Sequence, residues 1–229
     1  YYKVGDLYVV NGEPLGLVYE ISDGGAHGKV VALKAHRDLN LWYRTGLPYD
    51  EIHPEDPNNV GVIARSETDG QENMKAYKQI PDWKTHYPVA AYVSDLNDEN
   101  GNPGWYLPAI KEVQAMVGWI DGEVLSPDGE AGQEPSEAMK EKRKAINQLI
   151  VDNGGNEFYF YGYDVSFIID QTNAWEADYF NRIYTSTETD YQVHPMVFKF
   201  YLRNGWWETM HVYGDLAGSY GEVRPFLAF

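Results

Sequence analysis

Apolar residues recur at every second position near both ends of this 229-residue chain and at every three to four positions in its middle. A period of two lines one face of a strand, and a period near 3.6 lines one face of a helix. Strands, then helices, then strands do not make alternating βαβ units. The order predicts a single α+β domain over 1–229 with mixed or antiparallel sheets and about three helices. At the start, Leu7 to Val10, Asn11-Gly12 and Leu15 to Tyr19 read as a hairpin on a two-residue turn. Asp23-Gly24-Gly25 leads into a further strand over Val30 to Leu33. Residues 45–71 carry Pro48, Pro54, Pro57 and Asn58-Asn59, the composition of a long surface excursion with little regular structure.

Three segments carry the helical period. Pro88 supplies a first-turn proline for Val89, Tyr92, Val93 and Leu96. From Pro108, one face gathers Ile110, Val113 and Val117, with Gly118 as the expected stop. The third starts near Ser136, carries Ala138, Lys142, Ala145, Ile146, Leu149 and Ile150, and stops at Gly154-Gly155. Strands then return. Met196 to Arg203, Asn204-Gly205 and Trp206 to Tyr213 predict a hairpin in which a two-residue turn sets Arg203 opposite Trp206 and Tyr201 opposite Glu208. One face collects Met196, Phe198, Phe200, Leu202, Trp207, Thr209, His211 and Tyr213, and is the expected core side. The other holds Tyr201, Arg203, Trp206 and Glu208. In the last strand, Val223 to Phe229, Pro225 removes a ladder donor and predicts an edge or bulge.

Composition excludes several classes. Eighteen Lys and Arg against 35 Asp and Glu leave a net charge of -17, which disfavours nucleic acid and anionic membrane surfaces as partners. Seven Trp, 19 Tyr and 8 Phe make 15% of the chain, too aromatic for a disordered acidic tail. The absence of cysteine removes disulfides, thiolate metal sites and thiol nucleophiles together. No apolar run reaches the ~20 residues of a spanning helix. No charged-then-apolar leader precedes the first strand, so an expected export signal or lipid anchor is either removed or outside these residues.

Several segments, taken together, resemble one family. Asp69-Gly70 with Asn73, Tyr87-Pro88-Val89-Ala90-Ala91, Gly104-Trp105-Tyr106-Leu107-Pro108 with Glu112, Thr185-Ser186-Thr187-Glu188, and Val223 to Phe229 follow one another in order. They are similar to segments of the cysteine-free bacterial C-type-lectin-like domains that close Bacteroides-type surface proteins. The resemblance implies a C-type-lectin-like fold, a place outside the cell or on the outer-membrane surface, and a binding or adhesive role. Against that pattern the chain carries long insertions near 45–71, 119–135 and 156–184.

The chemistry of such lectins does not transfer. Calcium-dependent sugar binding in them uses an E-P-N or Q-P-D triplet and a W-N-D strand. Here Glu134-Pro135-Ser136 lacks the amide, and Trp206-Trp207-Glu208 stands where W-N-D would be. The six to eight oxygen ligands calcium needs cannot be assembled from these motifs, so no metal and no cofactor are expected. Asp95 to Gly101 reads as a solvated turn. The formylglycine-generating enzymes share the general fold but work through paired cysteines. Glu188 with Asp190, and Glu176 with Asp178, have the form of carboxylate pairs, yet such pairs arise by chance among 35 acids. Gly218-Ser219-Tyr220-Gly221 has its serine misplaced for a nucleophile elbow. His211 and His194 read as structural.

What remains is aromatic. Trp206 and Tyr201 beside Glu208 and Arg203, with Tyr191 in the loop after the T-S-T-E strand, form the expected ligand surface, because a flat ring flanked by charged groups suits a sugar or a protein partner. Packing offers the more ordinary account, in which Arg203 covers Trp206 or the 156–184 segment buries it. Phe158 to Tyr163 reads as a buried strand or an exposed patch. The expected function is non-catalytic recognition of a glycan or protein at the cell surface without calcium. A structural subunit of a surface appendage and a carbohydrate-active enzyme are the alternatives.

Overall fold

Asn11 (φ 52°) and Gly12 (φ 84°) are both left-handed. That is the backbone a two-residue turn needs to match the twist of its strands. They join β1 (Leu7–Val10) to β2 (Glu13–Ser22), with Val10 opposite Glu13. The computed structural model describes residues 1–37, 64–99, 101, 103–121, 136–158, 182–188, 195–200, 207–211 and 221–229. For Asp121, Arg182, 195–200 and 207–211 it describes the backbone. A short 3₁₀ turn over Asp23–Gly25 returns the chain into β3 (His27–Ala32). The fourth strand of this sheet is β7 (Phe226–Ala228), so the order is β1-β2-β3-β7, antiparallel throughout. As Pro225 predicts, β7 is an edge strand, and the proline sits just before it.

Five α-helices occur among the described residues, where about three were expected. Two have no strong apolar stripe in the sequence. The first, α1 (Gly70–Tyr77), begins where Asp69 accepts a hydrogen bond from the Glu72 amide at 3.0 Å, and it buries Asn73, Met74 and Tyr77. The second, α2 (Trp83–His86), is a single turn entered through Asp82 at φ 53°. Next, α3 (Pro88–Glu99) has Val89 and Val93 fully buried, and it runs through residues 95–99, where a solvated turn was expected. Then α4 (Ile110–Asp121) continues past Gly118, so that glycine does not end the helix. A glycine stops a helix by taking positive φ, and Gly118 does not. The helix face on which Val113 and Val117 lie is closed by Ile120, all three fully buried.

The last helix, α5 (Glu137–Asp152), is bounded as the sequence predicts. The Ser136 hydroxyl accepts from the Met139 amide at 3.3 Å, and beyond the C-terminus Gly154 (φ 74°) lets Gly155 N–H reach the Ile150 carbonyl at 2.9 Å. Its buried face is Arg143, Ile146, Asn147 and Ile150. Lys142, placed with the apolar set by spacing, instead donates to the Trp119 carbonyl and lies over the Trp119 ring.

The second sheet orders β4 (Arg182–Glu188), β5 (Pro195–Phe200) and β6 (Trp207–His211), again antiparallel. Its hairpin register corrects the sequence reading. Phe200 pairs with Trp207 and Lys199 with Glu208, so the strands stand two residues away from the register a turn at Asn204-Gly205 would set. A slip of two preserves the faces, because side chains alternate with that same period. Helix α4 packs against β2 of one sheet and β4 and β5 of the other. The terminal segment sews the sheets together: Tyr184 N–H reaches the Glu222 carbonyl, Val223 bridges His36, and Phe226 bridges Tyr106. Of the insertions expected near 45–71, 119–135 and 156–184, only the flanks are described. Ala64 and Phe158 in those flanks are buried.

Candidate functional site

Of the residues expected to form the ligand surface, Tyr191 of the loop after the T-S-T-E strand and Tyr201, Arg203 and Trp206 of the hairpin lie outside the described residues. Glu208 sits in β6 with Lys199 opposite it, not Tyr201. His194, Glu176, Asp178 and Asp190 also fall outside, as do Tyr159 to Tyr163.

Three buried acids, Glu188 and Glu112 of the motif segments and Glu222 just ahead of the last of them, are each occupied. Glu188 is buried at the end of β4. One carboxylate oxygen accepts from the Ala64 amide at 3.0 Å, and the other from the Tyr87 hydroxyl at 3.2 Å. Next to it the Thr187 hydroxyl accepts from Ile110 N–H and donates to the Ser66 carbonyl, while Ser186 Oγ takes a bond from Asn73 and donates to the Pro108 carbonyl. The Tyr77 hydroxyl donates to the Ser186 carbonyl. Burial, and after it the Glu188 charge, drives that phenol well above its ordinary range.

Glu112 is the hub of the G-W-Y-L-P segment. One oxygen receives the Lys29 ammonium and the Tyr106 hydroxyl, both at 2.8 Å. The other receives the amides of Gly70 at 3.0 Å and Ala109 at 2.9 Å. Burial first, then the Glu112 charge, holds the Tyr106 phenol far above its usual range, so it serves as a donor. The amide of Gly70 can approach only because the residue is glycine: a Cβ there would lie 2.3 Å from the Leu107 carbonyl. The third acid, Glu222, bonds Arg224 Nε at 2.8 Å through one oxygen and Arg37 through the other.

An open feature lies elsewhere. A groove of about 300 Å³ is formed where the start of β2, the end of β3, α3, the loop at Trp105 and the C-terminus of α5 meet. Tyr92 and Leu96 of α3 contribute its apolar wall with Leu15 and Trp105, and Glu13, Lys34 and Asn153 supply polar groups. The wall is fixed in place. The His36 imidazole stacks on the Tyr92 ring at 4.3 Å between centroids. Asn97 accepts from the Gly104 and Trp105 amides and donates to the Trp105 carbonyl, which pins the loop carrying the indole. Sequence reading placed Tyr92 on a helix face and Trp105 in a motif. It did not bring them together, because their meeting depends on how several separate segments pack.

Among the described residues no group of three His, Asp or Glu is placed to hold a metal ion, and no helix is long and apolar enough to cross a membrane. Neither a protein-family model, nor a curated protein, nor a solved structure matches the chain.

Proposed function

We propose that this chain is a C-type-lectin-like domain of the cysteine-free bacterial type. In this reading it stands outside the cell or on the outer-membrane surface and recognises a glycan or a protein without catalysis and without calcium. The observation that carries it is the convergence of the five motif segments. Asp69-Gly70 with Asn73, Tyr87, Trp105 to Pro108 with Glu112, the T-S-T-E strand, and the Val223 to Phe229 terminus, through Phe226 on Tyr106, adjoin one another through the bonds described above. Motifs that meet only in space, and meet through buried polar bonds, are what a shared frame requires. The same bonds support a non-catalytic role, since Glu112, Glu188 and Glu222 have both oxygens engaged in holding the frame. Recognition is left to the outer surface, where the groove at Tyr92 is available. The negative charge of the chain acts there as a guard against nonspecific association with acidic surfaces.

A glycan array probed with the purified protein, in calcium and again in chelator, tests this. Saturable binding that survives the chelator is the expected result. Binding lost in chelator would expose a metal site and overturn the calcium-independent reading. Silence on all glycans, with no protein partner bound either, would move the weight to an appendage subunit. Turnover of a bound glycan would make the chain an enzyme.

A further inference from the structure

We infer that the groove between β2 and α3 is a subsite for one or two pyranose rings of a neutral glycan, with Tyr92 as its aromatic platform. The inference rests on the recognition reading above and narrows it to a ligand class and a place. A volume of about 300 Å³ stands at the small end of ligand pockets, which fits a sugar ring or two and is too small for a folded peptide element. The wall chemistry matches the two characters of a pyranose. Its C–H face suits the partly exposed ring of Tyr92 and the side chains of Leu15 and Leu96, with the largely buried Trp105 closing the wall. Its hydroxyls both donate and accept, and the groove offers a carboxylate acceptor at Glu13, an ammonium donor at Lys34 and an amide at Asn153.

Charge selects among sugars. Glu13 and Lys34 cancel within the groove, while the chain carries -17 overall, so a sulfated or sialylated glycan meets net repulsion and a neutral one does not. The site is also built in advance. His36 stacked on Tyr92, and Asn97 bonded to both sides of Trp105, hold the two rings before any ligand arrives, which lowers the ordering needed on binding.

The test titrates the protein with neutral oligosaccharides (cellohexaose, xylohexaose, mannohexaose, chitohexaose) and with sialyllactose, read by saturation-transfer NMR and calorimetry. Tyr92→Ala, Tyr92→Phe, Lys34→Ala and Trp206→Ala run beside the parent chain, each checked for an unchanged far-UV spectrum. Tyr92→Ala is expected to weaken neutral-glycan binding by about tenfold or more, as loss of a buried aromatic anchor does. Tyr92→Phe should retain affinity within about threefold, because the platform is the ring. Lys34→Ala, at an exposed position that leaves the fold alone, should weaken binding by a few-fold and serves if Tyr92→Ala does not fold. Glycan binding that ignores Tyr92→Ala and Lys34→Ala but falls with Trp206→Ala overturns this inference and keeps the recognition reading, with the hairpin as its site. Preference for sialyllactose, or a protein partner with no glycan bound, overturns the ligand class. No ligand of either kind overturns both.

Discussion

Arg224→Met is expected to destabilise the fold by about 3–5 kcal/mol, the range for removing one partner of a buried ion pair. Arg224 is fully buried and has no contact with water to fall back on. Its Nε bonds Glu222 at 2.8 Å. One terminal nitrogen donates to the carbonyls of Ala32 and Leu33, and the other to those of Asn156 and Glu157. The guanidinium carbon sits 4.0 Å above the centre of the Phe158 ring. Burial, and to a lesser degree the Arg37 charge, pulls the Arg224 pKa below its usual value, and the Glu222 carboxylate opposes that pull. Methionine fills similar space, but it strands Glu222 beside a single, partly exposed Arg37 and takes a donor from four carbonyls, of which those of Leu33 and Glu157 keep another, from Asn156 N–H and Arg37. Against a total stability of about 5–15 kcal/mol such a loss is a large fraction. Arg224→Lys is expected to recover little, since one ammonium cannot reach both carbonyl pairs in the plane of a fork. Urea unfolding followed by tryptophan fluorescence checks both variants, and a change below about 1 kcal/mol for Arg224→Met would refute the assigned role.

Glu112→Leu should be nearly as damaging, at about 3–5 kcal/mol, for the opposite chemical reason. Here an acceptor is removed from under four donors. Two of them are main-chain amides, Gly70 and Ala109, at the starts of α1 and α4, where no helical partner exists for them. A third is the buried Tyr106 hydroxyl, and the fourth is Lys29, whose ammonium can turn to water. Glu112→Gln keeps one acceptor oxygen and turns an NH₂ toward the remaining donors, so it should fall between the two. Thermal unfolding of the three proteins side by side should rank them parent, Gln, Leu. A Leu variant as stable as the parent would mean that the carboxylate does not hold these helix starts.

Much of this frame can be read from sequence because the responsible signals are local. Asn11-Gly12 dictates its turn whatever surrounds it, and Ser136 and Gly154 bound α5 by chemistry within a few residues. Helix α1 escaped because its buried face includes Asn73, whose amide is satisfied by Ser66 and Ser186, the latter more than 100 residues away. Apolar periodicity does not register a buried polar group. Gly118 misled for a related reason: glycine permits a stop, but only tertiary packing decides whether the helix uses it. The hairpin faces are legible because an even register slip leaves them unchanged, while the pairing itself is not. The T-S-T-E residues could be recognised as a segment, but nothing local tells that Glu188 would close on Ala64 and Tyr87. The groove is the extreme case, since each of its parts reads as ordinary alone.

The position of β7 has a consequence in time. The β1–β2 hairpin closes through a two-residue turn, an event of about 1–10 μs. The outer edge of β3 must wait for a partner from the far end of the chain; Arg224, just ahead of β7, bonds Ala32 across 192 residues. Closing so long a loop is unrewarded until the segment docks, which slows folding. Meanwhile β3 presents an open edge on which a second chain could pair. In quenched-flow exchange labelling, the amides of Gly28, Ala32 and Tyr106, all bonded to the terminal segment, should therefore gain protection after that of Val18, which bonds Asp6 beside the hairpin.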